Sequence, residues 1–107
     1  MALLALLADP LDGLDAGALE RELVELGNEV RIGSLEEARA FQSVATDGIV
    51  VLMSESLRGS AASMGRIREI GQVCKESLRF FVPVLVGTNE FPPEILEFSP
   101  VVVVEQE

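Results

Sequence analysis

Asp47-Gly48-Ile49-Val50-Val51-Leu52-Met53-Ser54 is the stretch whose reading decides the fold. Five apolar residues follow a turn signal, and a small polar segment comes after them. The run is too short to span a membrane and fits a strand buried on both faces, as in the middle of a parallel sheet. In open parallel sheets the ligand crevice lies beyond the carboxyl ends of the strands. Chemistry is therefore expected from Ser54 onward.

Working back toward the amino terminus, Leu3 to Ala8 reads as a first strand ended by Asp9-Pro10. A basic flank is missing before it, so the apolar opening is read as a strand rather than a signal core. Asp15 is the expected N-cap of a helix over Ala16 to Leu26, with Leu19, Leu23 and Leu26 along one face. Gly27-Asn28 closes that helix, and Glu29 to Ile32 forms a short edge strand. Ser34-Leu35-Glu36-Glu37 has the form of a capping box. The helix it opens carries Leu35, Ala38, Phe41 and Ala45 on one face and stops at Asp47-Gly48.

Working forward, Ser54 to Ser60 reads as a polar loop leading to the longest helix, Ala61 to Ser77. Met64, Ile67, Ile70, Cys74 and Leu78 keep helical spacing, a stripe that reads as core. Phe80 to Val86 is a fourth strand, with Pro83 where a missing amide is tolerable. A loop at Gly87-Thr88-Asn89-Glu90 follows, then one helical turn at Pro92-Pro93-Glu94-Ile95-Leu96 and a fifth strand from Val101 to Val104.

Strands alternating with helices predict a single α/β domain over residues 1–107, a parallel sheet with helices on both faces. Its expected form is a flavodoxin-like three-layer sandwich, five-stranded with order 2-1-3-4-5. The sequence has no final helix after the fifth strand. Poor cover over the last strands then predicts an apolar patch, with Val101 and Val103 as docking candidates. Either the protein associates with itself or a partner there, or the final helix lies outside the given sequence.

Composition narrows the functions. The chain has 107 residues, 8 Lys and Arg against 18 Asp and Glu, and a net charge of −10. Nucleic acid and anionic membranes reward clustered cations, so neither is an expected partner. One cysteine allows no internal disulfide, which fits a reducing cytoplasm. Histidine is absent, and no nucleophile–base pair is visible, so enzymatic function starts from a weak position and no cofactor is expected. Asp9 and Asp12 could hold a divalent cation but read more simply as turn formers, and no metal is expected. Gly59 to Gly65 leads into a helix without the Gly-Lys-Ser/Thr ending of a phosphate loop, and reads as capping. Arg58, Arg66, Arg68, Lys75 and Arg79 gather five of the eight cations within 22 residues, a candidate face for an acidic partner. Cys74 on the apolar stripe reads as an inert core thiol.

Leu6-Leu7-Ala8-Asp9-Pro10, Asp47 to Met53 and Pro83-Val84-Leu85-Val86-Gly87-Thr88 together resemble a response-regulator receiver domain. They stand for that family's acidic turn, its third strand, and its fourth strand ending in the switch threonine. The resemblance covers about four-fifths of the chain and implies a degenerate site at Asp9, Met53 and Thr88. Met53 falls where the phosphoacceptor aspartate belongs, and methionine forms no acyl phosphate. One member of the acidic pair and the family's lysine near the fifth strand are also missing. The implied protein is a pseudo-receiver, a signalling-type interaction module that is not phosphorylated in the usual way.

The second half also resembles a Toll/interleukin-receptor domain. Val50-Val51-Leu52-Met53-Ser54-Glu55-Ser56, Arg68-Glu69-Ile70, Pro83-Val84-Leu85-Val86 and Pro92-Pro93 carry that likeness. It implies either scaffolding or NAD cleavage with Glu69 as the catalytic carboxylate. The reading carried forward is a non-catalytic module that binds a protein partner or itself.

Overall fold

A computed structural model describes residues 3–9, 13–37, 46–86, 93–98 and 101–103. It is an α/β fold on a parallel sheet. In chain order the elements are β1 (Leu3–Leu7), α1 (Gly13–Glu25), β2 (Glu29–Gly33), a 3-10 turn (Leu35–Glu37) and β3 (Gly48–Met53). A one-turn α2 (Glu55–Arg58), α3 (Ala61–Glu76), β4 (Phe80–Val86), a second 3-10 segment (Pro93–Phe98) and β5 (Val101–Val103) follow.

β1 lies between β2 and β3, and all these pairs are parallel: Leu6 registers with Ile32 on one side and Val50 on the other. β4 follows β3, with Val50 opposite Val82 and Met53 opposite Leu85. The short β5 runs beside the end of β4, from Val84↔Val101 to Val86↔Val103. Pro83 stands one residue before that pairing begins, so on the β5 side its missing N–H costs no ladder bond.

Strand alternation sorts the core into two layers. Odd-numbered Ala5, Leu7, Ile49, Val51, Met53 and Leu85 pack with Met64, Ile67, Ile70 and Cys74 of α3 and with Ile95. Even-numbered Leu6, Val50, Leu52 and Val84 pack with Ala16 of α1, flanked by Leu19 and Leu23. All six residues of β3 are buried, as expected of a strand covered on both faces.

α3 approaches the sheet closely at Gly71. A Cβ there would lie 2.6 Å from Phe98 Cζ and 2.9 Å from Phe81 Cε2. Those two rings meet edge to face, with centroids 5.0 Å apart.

Several expectations are corrected. α1 begins at Gly13, so Asp15 lies inside the helix and is not its N-cap, because a cap residue must precede the helical dihedrals. The segment after Ser54 is not all loop. Leu57 is buried, and Arg58 and Gly59 donate backbone N–H bonds to the Ser54 and Glu55 carbonyls, which winds α2. Leu26 and Leu78 leave the apolar stripes to which their spacing assigned them, at 78% and 95% exposure. Each lies just past the last helical residue, where the chain turns away.

Both turns have the Schellman form. In the first, Asn28 N–H donates to Leu23 O and Gly27 N–H to Val24 O, with Gly27 at φ 95. In the second, Arg79 N–H donates to Cys74 O and Leu78 N–H to Lys75 O, with Leu78 at φ 57. Half of the capping box forms: the Glu37 carboxylate accepts from the Ser34 N–H at 3.0 Å and from the Ser34 hydroxyl at 3.2 Å. The helix expected beyond Glu37, with Ala38, Phe41 and Ala45, lies outside the described residues.

Candidate functional site

A cleft of about 390 Å³ opens at the carboxyl ends of β1 and β2. That is the end of the sheet where α/β folds place their ligands. Ala8 and Asp9 enter it from β1, and Ser34, Leu35 and Glu36 from the segment after β2. Leu57 of α2 and Ala62, Ser63 and Arg66 of α3 close the other side. Parallel pairing explains the meeting. β2 lies against β1, so the segments leaving both strands emerge side by side despite their distance in sequence.

The floor is apolar, with Leu35 and Leu57 buried, while two carboxylates, one guanidinium and two hydroxyls edge the opening. At the start of α3, the N–H of Ser63 already donates to the Ser60 side chain at 3.2 Å. Ser60 thus caps the helix, as the sequence led one to expect. No group of three His, Cys, Asp or Glu able to share a metal ion occurs among the described residues.

Met53 is fully buried at the tip of β3, in the same core layer as Leu57, Met64 and Leu85. Its main-chain carbonyl accepts a 2.7 Å hydrogen bond from Arg58 Nη1. Neither Met53 nor Arg58 lines the cleft. Asp9 does, whereas Asp12 and Thr88 lie outside the described residues. Glu69 is exposed on α3 and is not part of the cleft wall.

The basic stretch does not make one face. Arg58 turns back onto β3, and Arg66 lines the cleft. Lys75 is nine residues beyond Arg66, which at roughly 100° per residue puts it on the opposite side of the helix. Arg68 lies seven residues before Lys75 and shares its side. Arg79, half-buried, sits near Cys74, whose thiol is buried. Burial pushes the Cys74 pKa up, and the Arg79 charge partly opposes that shift. The periodicity of the helix, not the density of cations along the chain, decides which charges share a surface. The side chains of Val101 and Val103 lie outside the described residues.

Sequence reading missed Ser34, Leu35 and Glu36 as cleft residues. The signal was available in the expected order, since a strand lying next to the first must send its loop to the same crevice. No helix among the described residues is long and apolar enough to cross a membrane. No protein-family profile matches the sequence, and no curated protein matches it.

Proposed function

We propose that this chain is a non-catalytic, receiver-like interaction module that docks a protein partner or a second copy of itself. In this reading the fold is a flavodoxin-like three-layer sandwich with five strands in the order 2-1-3-4-5. The parallel pairings of β1 with β2 and β3, and of β4 with β3 and β5, support it. A cytoplasmic location fits the single free thiol.

The observation that carries the proposal is the burial of Met53 at the tip of β3. A receiver would present an exposed carboxylate from that strand end. Here a thioether is packed into the core, and the adjacent carbonyl is covered by Arg58. The cleft beside it supplies Asp9, Glu36 and Arg66 as recognition groups.

The test is incubation with acetyl phosphate and magnesium, read by intact mass, beside incubation with NAD, read by product formation. The unmodified mass and no NAD turnover are the expected results. Acquisition of a phosphoryl group, or NAD turnover abolished by Glu69→Ala, rejects the proposal.

A further inference from the structure

The end of the sheet opposite the cleft carries exposed apolar side chains. Leu26 is 78% exposed, Leu78 95% and Phe80 71%. Leu26 follows α1 just before β2 begins, and Leu78 follows α3 just before Phe80 opens β4. All three therefore stand at the amino-terminal ends of the strands. Buried Gly48 packs between Phe80 and Leu4: a Cβ there would come within 2.7 Å of Phe80 Cβ and 3.4 Å of Leu4 Cδ2. Leu4 belongs to the layer under α1, so through Gly48 Phe80 borders that layer.

Leu78 is the sharpest feature of this end. It takes the left-handed dihedral that the other helix end gives to Gly27, and its side chain points almost wholly into water. Glycine would meet the backbone requirement without strain and without exposed hydrocarbon. A residue costly on both counts in the isolated chain is explained by a contact made outside it.

The charges around the two helix ends say what makes that contact. At the end of α1, Glu22, Glu25 and Glu29 are exposed, and the last turn has no basic residue. Carboxylates beside the negative end of a helix dipole are unfavourable within one molecule and call for a cation from another. Arg21 stands a turn earlier, and Asp47 between the two ends accepts from the Leu3 N–H. At the end of α3 the balance reverses, with Lys75 in the last turn and Arg79 after it, and Glu76 between them.

We infer that two copies of this chain pair through the amino-terminal ends of their strands. The acidic end of α1 in each copy, with Leu26, meets the basic end of α3 in the other, with Leu78 and Phe80. A twofold axis makes that contact twice, as isologous dimers do. The inference rests on the interaction-module reading and names its partner as a second copy.

Sedimentation equilibrium of the full chain over a concentration series tests it. The expected mass rises from 11.5 kDa toward twice that value. Leu78→Gly keeps the turn geometry, so it is expected to stay folded while weakening association by about tenfold or more, since it enters the interface twice. Glu25→Lys improves the fit to the helix dipole yet should also weaken pairing, and adding Lys75→Glu should restore it. A mass of 11.5 kDa at every concentration overturns the inference, as does association indifferent to Leu78→Gly and Glu25→Lys. A monomer of that kind would leave the interaction-module reading standing with a different partner, whereas a phosphoryl adduct or NAD turnover would remove that reading itself.

Discussion

Arg58 Nη1 donates to the main-chain carbonyl of Met53 across 2.7 Å, tying α2 to the tip of the strand it follows. A half-buried charged donor on a buried carbonyl is worth about 1 kcal/mol net once the donor's solvent exposure is allowed for. Arg58→Ala should lower unfolding stability by about that amount, measured by urea denaturation. A loss too small to resolve would mean that the bond contributes nothing beyond what water supplies.

The neighbouring position allows a stronger test. Met53→Leu conserves volume and should cost less than about 1.5 kcal/mol. Met53→Asp, the change that would restore an acceptor carboxylate, puts a charge where exposure is 0%. It should cost about 4 kcal/mol or more, from lost packing and an unpaired buried carboxylate. Comparison of the two variants by thermal unfolding separates loss of volume from loss of burial. Equal stability of both would show that the strand tip opens to solvent.

α3 contains two interior glycines with opposite surroundings. A Cβ at Gly65 meets nothing within 4 Å, while one at Gly71 meets Phe98 and Phe81 at under 3.0 Å. Gly65→Ala should therefore raise stability by about 0.5–1 kcal/mol through helix propensity alone. Gly71→Ala gains the same propensity but must move a T-shaped ring pair, so it should lose about 1–2 kcal/mol net. Parallel calorimetry of the two variants checks the sign of each. Stabilisation by both would show that the rings shift freely.

Much of this architecture could be read from the chain, for definite reasons. The unbroken apolar run from Ile49 to Met53 marks a doubly covered strand, and Met64, Ile67, Ile70 and Cys74 keep a period that only a helix holds. Periodicity says nothing about where a helix stops. Carried on to Leu26 and Leu78, it assigned to the core two residues that the Schellman turns send outward. The cleft was only half legible because it joins Asp9 to Ser34 and Glu36 through strand pairing, not through nearness in sequence. The basic stretch misled in the converse way. Its residues are close along the chain and are then spread around α3 by the helical turn.

Gly27 and Leu78 occupy the same station in those two turns, at φ 95 and φ 57. The left-handed region costs an ordinary residue about 1–2 kcal/mol, and a side chain 95% exposed at Leu78 returns little packing. Leu78→Gly should therefore stabilise the monomer by about 1 kcal/mol, less a small entropic loss from a freer unfolded chain. Gly27→Ala should destabilise it by a similar amount, although a Cβ there meets nothing within 4 Å. Denaturant titration at concentrations below any association reads both. A destabilised Leu78→Gly variant would show that the leucine makes a stabilising contact within its own chain.

Cys74 gives the fold a dependence on alkaline pH. Burial raises its thiol pKa above the ordinary value of 9.0, with Arg79 opposing part of the shift. The folded state thus holds the thiol proton more tightly than the unfolded state does. The stability this represents is fully present below pH 9.0 and is lost as pH rises through the higher folded value. Cys74→Ala removes the titrating group and should cost a modest amount of packing at neutral pH, while flattening the alkaline fall in melting temperature. Native thiol should also react slowly with a charged disulfide reagent at pH 8, at a rate limited by local opening around α3. Rapid labelling under native conditions, or an alkaline limb unchanged in Cys74→Ala, would show that the thiol is reached and ionised without disturbing the core.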